Sequence, residues 1–354
     1  MKALVRHAPR DLRLEDVPDP GPHGRDEVRV AIDAIGLNHI DLWGHRGMAF
    51  APRTRPVIVG AEAAGTVEAV GPGVTHLAAG QRVALYAGTP CGHCAPCRAG
   101  RDNLCEDPGG PLGFLVDGVA CEAVRRPARL CVPIPDGVTL ADAACAPVCY
   151  GTVQHMLFDN ARLAPDETIL VQAGASGVGS AAIQMAKKAG CRVLATVGDD
   201  AKRALAARLG ADVVVNYRTE RFEARVLRET GRRGVDVVFE HVGPDTWAGS
   251  QLCLARGGRL VTCGATTGRL AETNLAHLYQ RQQRLIGSFG CTIRNVAEAL
   301  ARIADGTRPV IDRVLDMARF EDGLGVLERR EVQGKILLGW DACALARDLS
   351  RRAA

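Results

Sequence analysis

The sequence predicts an α/β protein of two domains, one rich in short strands and one built on a doubly wound parallel sheet. Three observations carry this. The chain has 354 residues, long for a single domain. Its first third breaks into short apolar runs punctuated by glycine and proline. Beyond about residue 150, strands that are apolar throughout alternate with amphipathic helices, the pattern of a parallel sheet covered on both faces.

The elements follow in order. MKALVRHAPRDLRLEDV alternates like a strand pair and lacks the apolar centre of a signal peptide. Glu27–Leu37, Val57–Gly71 and Gln81–Ala87 are apolar runs bounded by turn signals. Around Val138–Tyr150 the texture becomes alanine-rich and helical. Thr168–Gly174 then reads as a strand before a helix over Val178–Ala189, which places Val178, Ala182, Met185, Ala186 and Ala189 on one face. Cys191–Val197 precedes a helix at Ala201–Leu209, Val213–Asn216 one at Phe222–Glu229, and Val235–Glu240 one at Asp245–Ala255. Gly258–Gly264 and Arg284–Gly290 supply two more strands. A helix near Asn295–Asp305 and a final apolar strand, GKILLG, close the pattern.

Composition excludes several functions. Hydrophobic residues make up 47 % and charged residues 24 %, the balance of a soluble globular protein. The net charge is only +4 and no basic run interleaves with aromatics, so nucleic-acid binding has no support. No run approaches the ~18 apolar residues of a membrane span. Thirteen cysteines without a secretory signal point to the reducing cytoplasm.

Four of those cysteines, Cys91, Cys94, Cys97 and Cys105, fall in CGHCAPCRAGRDNLC. Thiolates at this spacing can converge on one tetrahedral zinc, because the short gaps let the chain curl around the ion. Four protein ligands close such a site and leave no position for substrate, so the expected metal holds a loop. An iron–sulfur cluster would also take four thiolates.

GASGVG (Gly174, Ala175, Ser176, Gly177, Val178, Gly179) follows the strand at Thr168 and opens into a helix. Glycine permits a tight turn and close backbone approach, and the helix N terminus offers unpaired N–H groups to a pyrophosphate. Ser176 stands where the middle glycine is usual. Spacing does not settle which dinucleotide binds. Asp199 suits an NAD ribose, whereas Lys202 and Arg203 could neutralise a 2′-phosphate.

With GLNHIDLW, VGAEAAGTVEAVGPGV and QAGASGVG in this order, the chain resembles the zinc-type medium-chain dehydrogenase/reductases over nearly its whole length. GLNHID, NYRTE, VGPDTW and ERREVQGK are similar to the quinone oxidoreductase (zeta-crystallin-like) branch. The resemblance implies a GroES-like catalytic domain at 1–149, carrying the cysteine lobe at 91–105. A Rossmann domain at 150–290 and a return to the first domain at 291–354 complete it. It implies NADP(H), its 2′-phosphate held by Lys202, Tyr217 and Arg330, and a homodimer or homotetramer joined near Arg284–Gly290.

It also makes an absence informative. At the catalytic-zinc positions of the superfamily's alcohol dehydrogenases this chain has Asn38, Ala61 with Glu62 beside it, and Cys149; at the proton-relay positions it has Ile40 and Trp43. Alanine supplies no ligand. A catalytic zinc would need improvised ligation through His39, Asp41, Glu62 or Cys149. The expected activity is therefore hydride transfer from NADPH to a small-molecule quinone or to the conjugated C=C of an α,β-unsaturated carbonyl, without a catalytic metal. Asn38 is expected near the nicotinamide, with His39, Tyr150 or water as proton donor. The alternatives are a zinc-dependent alcohol dehydrogenase and a catalytically idle, crystallin-like NADPH-binding protein.

Overall fold

The computed structural model describes residues 1–21, 24–47 and 56–353. Two compact units form, one of Met1–Gly151 with Cys291–Ala354 and one of Thr152–Gly290.

In the first unit, Lys2–Ala8 and Asp11–Asp16 pair antiparallel. A larger sheet runs in the order Ile311–Asp316, Lys335–Gly339, Glu27–Gly36, Ala63–Val70, Arg82–Leu85, Cys131–Pro133, and Ala123–Pro127 pairs with Glu27–Gly36 as its seventh strand. Alternation drives this: Val28, Val30 and Ile32 in one strand point into a core with Val67, Val83, Leu85 and Ile336. The apolar run Val57–Gly71 is divided between two sheets, Val57–Ile58 in the small one and Ala63–Val70 in the large one. Gly60 causes the break. It sits at φ +89, and a Cβ there would meet the Ala120 amide nitrogen at 3.1 Å.

Three strand ends of the large sheet meet at one place. Gly36 pairs with Leu337 and Ile35 with Ala63, so Asn38, Glu62 and Lys335, each at or just beyond a strand end, become neighbours.

The second unit holds a six-stranded, wholly parallel sheet. From one edge it runs Val213–Asn216, Arg192–Val197, Thr168–Val171, Val235–Glu240, Leu254–Thr262, Arg284–Gly287. In chain order this is 3-2-1-4-5-6, the doubly wound Rossmann arrangement, and the winding reverses between Thr168–Val171 and Val235–Glu240. Ile169, Leu170, Val171, Val193, Leu194, Val237 and Val238 are all fully buried. Helix Gly177–Lys188 packs on the strands at Thr168 and Arg192, as its apolar stripe requires. The last sixty residues contain more than the expected helix and strand. Ile311–Asp316 is an additional strand, and Phe320–Glu328 and Ala342–Ser350 are helices. Among the described residues no helix is long and apolar enough to cross a membrane.

Candidate functional site

The loop Gly174–Gly179 is built by close approach. Gly179 faces the Ala173 carbonyl so tightly that a Cβ would lie 2.3 Å from that oxygen, and a Cβ on Gly174 would meet Ala195 and Ile183 at 3.0 Å. Glycine is therefore required to bring helix and strand together. Ser176 caps the helix, its hydroxyl accepting the Gly179 N–H at 3.0 Å. First-turn amides such as those of Gly177 and Val178 have no acceptor inside a helix and suit an anion.

At the end of the next strand, Asp199 caps its helix through the Lys202 N–H at 2.8 Å, and its other oxygen lies 3.4 Å from the Lys202 ammonium. The Tyr217 hydroxyl lies against Gly198, 2.6 Å from where a Cβ would stand. Lys202 and Tyr217 thus converge on residues 198–199, just beyond the end of the strand Arg192–Val197. Arg218 joins them, its Nε 3.7 Å from the same Cβ position. The sequence reading missed it, although it follows Tyr217 directly in NYRTE. Arg330 belongs to the other unit and has left-handed backbone, φ +59.

In the cysteine lobe the sulfur atoms of Cys91, Cys94, Cys97 and Cys105 all lie within 4.8 Å of one another. Backbone N–H groups point at the sulfurs: Cys91 N to Cys105 Sγ at 3.2 Å and Cys94 N to Cys91 Sγ at 3.3 Å. The Cys94 thiol is lowered from its ordinary value, first by the Glu106 N–H and then by that of Cys97. Four sulfurs at this separation, with amides aimed at them, fit a tetrahedral metal. No disulfide joins them.

The third cluster is centred on Glu62, 0 % exposed. Its Oε1 accepts the Val148 and Cys149 N–H groups, each at 2.7 Å. These amides are available because Ala146–Tyr150 forms a π-helical turn, with the Tyr150 N–H reaching back five residues to the Cys145 carbonyl at 3.0 Å. Glu62 Oε2 accepts Lys335 Nζ at 2.6 Å and Asn38 Nδ2 at 2.8 Å. Lys335 places its other two protons on Asn38 Oδ1 at 2.8 Å and the Leu37 carbonyl at 2.7 Å. Burial alone would depress the Lys335 ammonium; Glu62, with Cys149 and Cys145, overrides this and holds its pKa above the usual lysine value. Asn38 gives its remaining N–H to the Gly36 carbonyl at 3.1 Å. Asp41, whose Oδ2 accepts the Asn38 N–H at 2.9 Å, is pushed up to about 6, chiefly by burial. His39, at the start of helix His39–His45, is half-buried, whereas Tyr150 is fully buried. Among the described residues, the cysteine lobe supplies the one group of three or more potential metal ligands gathered together. Lys335, the last residue of ERREVQGK, carries no site role in the sequence pattern. It lies 273 residues from Glu62, so no local signal could have found it.

Comparison with known proteins agrees with this fold. A family model described as "Alcohol dehydrogenase GroES-like domain" matches residues 24–136, and one described as "Zinc-binding dehydrogenase" matches residues 177–305. An alcohol dehydrogenase of Geobacillus stearothermophilus is 30 % identical over 96 % of this chain and 99 % of its own length. The chain belongs to the zinc-type medium-chain dehydrogenase/reductases. A quinone oxidoreductase of Pseudomonas aeruginosa is 35 % identical over 83 % of this chain and 82 % of its own. Among solved structures, one titled as an NAD-dependent alcohol dehydrogenase is 37 % identical with a TM-score of 0.91, covering 96 % of this chain and 99 % of that one. The GroES-like and Rossmann folds expected from the sequence are those of the family, whose members are oxidoreductases that bind NAD(P).

Proposed function

We propose that the protein is an NADP(H)-dependent reductase of quinones or of conjugated C=C bonds in α,β-unsaturated carbonyl compounds, with zinc in the cysteine lobe alone. One observation carries this reading. Every lone pair of Glu62 that a ligand would use is taken, and the cation beside it is the chain's own Lys335. A metal here would compete with that ammonium for Glu62 and Asn38, and Ala61 offers it no donor.

In this reading Cys91, Cys94, Cys97 and Cys105 hold the lobe zinc, which stabilises the loop and is closed to substrate. The loop Gly174–Gly179 cradles the pyrophosphate. Lys202 and Tyr217 serve the 2′-phosphate, and the Lys202 ammonium beside Asp199 offsets the carboxylate that would otherwise favour an NAD ribose. A reduced nicotinamide supplies the hydride when bound. What remains for the protein is to accommodate negative charge developing on the substrate oxygen and to bring one proton to the product. His39, half-buried, or water delivers that proton, while buried Tyr150 serves packing. Asn38, both of whose amide protons are committed, shapes the site rather than donating. Arg284–Gly287, with a neighbour on one side only, offers an edge for a second copy.

The test is oxidation of NADPH and NADH with 1,4-quinones, enones and enoyl-CoA esters, alongside alcohol oxidation and metal analysis. Turnover of an unsaturated acceptor with one zinc per chain is expected. Chelator-sensitive alcohol oxidation with two zincs would reject the reading. Tight NADPH binding with no acceptor would identify an idle binding protein instead.

A further inference from the structure

The dinucleotide loop begins in a conformation its residue resists. Ala173 has φ +48, in the left-handed region that a residue with a Cβ resists. Three hydrogen bonds hold it there. Ala173 N donates to Thr196 Oγ1 at 3.1 Å, Gly174 N to the Thr196 carbonyl at 2.8 Å, and Ser176 N to the Ala173 carbonyl at 2.9 Å. Two of these three end on Thr196, at the close of the adjacent strand.

Thr196 is itself the last link of a buried chain. Its hydroxyl donates to Gln172 Oε1 at 2.6 Å. Gln172 Nε2 donates to Ser250 Oγ at 2.9 Å, and Ser250 Oγ to Glu240 Oε2 at 2.7 Å. Glu240 Oε1 accepts the N–H groups of His241, Val242 and Gly243 at 2.9, 2.7 and 3.2 Å. Thr246 Oγ1 adds a donor to both carboxylate oxygens. Gln172, Ser250 and Glu240 are 0 % exposed and Thr196 1 %.

A carboxylate can only accept, and this sets the direction of every bond in the chain. Ser250 must donate to Glu240, so it accepts from Gln172. The Gln172 amide is thereby oriented with its oxygen towards Thr196. The Thr196 hydroxyl must then spend its proton on Gln172, and it turns a lone pair to the Ala173 N–H. A buried polar chain with every member satisfied is rigid, because any rearrangement strands a polar group in a low-dielectric interior. The chain joins the two loops on either side of the sheet's winding reversal, and the His241 ring nitrogen Nε2, 3.0 Å from the Gln172 carbonyl, adds a second link.

We propose that Thr196 and Gln172 are positioning residues for the dinucleotide, keeping the loop Ala173–Gly179 formed before the cofactor arrives, with the Glu240 carboxylate fixing the sense of the relay. The proposal rests on the reading of that loop as the nucleotide site. Binding then avoids the ordering cost a mobile loop would impose.

The experiment compares wild type, Thr196→Val, Thr196→Ser and Ser250→Ala. Amide hydrogen exchange is followed over residues 173–180 without cofactor, and NADPH binding by fluorescence. Thr196→Val is expected to speed exchange at Ala173 and Gly174, raise the NADPH Kd and KM by about 3- to 10-fold, and leave kcat at saturation unchanged. Thr196→Ser, which keeps the hydroxyl, restores both. Ser250→Ala gives a smaller shift of the same sign and serves as the test should Thr196→Val fail to fold. Unchanged loop exchange in both Thr196→Val and Ser250→Ala overturns the proposal, whatever the nucleotide does. Faster loop exchange with unaltered Kd overturns the cofactor role. Failure of wild type to bind either NADPH or NADH removes the underlying reading and the proposal with it.

Discussion

The cysteine lobe and the Glu62 cluster solve the same electrostatic problem in opposite ways. The lobe gathers four sulfurs within 4.8 Å, adds amide donors, and contains no cation among its ligand atoms. Ionised, such a group repels itself unless a metal is supplied. The Glu62 cluster gathers buried carboxylates and brings its own cation in Lys335, 3 % exposed at the side chain. In the reading proposed above, one centre is completed by an imported ion, and the other carries its own cation in Lys335.

Three experiments test this contrast. The largest effect is expected from removing the lobe metal by chelation or by Cys97→Ser. Tm should fall by roughly 5–15 °C while per-molecule turnover of the folded fraction holds. Calorimetry with parallel assays checks this, and lost turnover with unchanged Tm would reverse the roles of the two centres. Next, Lys335→Met leaves Glu62 buried beside an amide and two N–H groups without its cation, and should cost about 3–5 kcal/mol in denaturant unfolding. Lys335→Met with Glu62→Gln should recover part of that loss. A cost within error for the single variant would show that Lys335 does not sustain the cluster.

The smallest effect concerns Asp41. Its folded pKa of about 6 lies above the usual carboxylate value, so between about pH 4 and 6 the folded state binds more protons than the unfolded one. This group's contribution is therefore present below pH 4 and lost as pH rises through 6, by about 3 kcal/mol. Asp41→Asn should flatten that fall. A stability profile across pH 4–7 identical to wild type would place the titration elsewhere.

What the sequence disclosed follows from range. Cysteine ligands within one lobe and a glycine loop between strand and helix are local patterns, and both appear where spacing put them. Val213–Asn216, Phe222–Glu229 and Val235–Glu240 coincide with their expected bounds because glycine, aspartate and short turns mark both ends. The Lys335–Glu62 pair and the run from Thr196 through Gln172 and Ser250 to Glu240 join residues from separate strands and helices. Only folded topology brings them into contact. That Ala61 offers a metal no donor could be read in one dimension; the pairing of Glu62 with Lys335 could not.

The π-helical turn at Ala146–Tyr150 carries one more consequence. A π turn is an α-helix with one residue too many, and here the surplus residue releases the Val148 and Cys149 amides to Glu62. Deleting a single residue from this segment would let the helix close its ordinary ladder and withdraw both donors from the carboxylate. The length of Ala146–Tyr150 is thus tied to the Glu62 carboxylate just ahead of the strand Ala63–Val70, so insertions or deletions here would disturb the cluster more than changes of side chain.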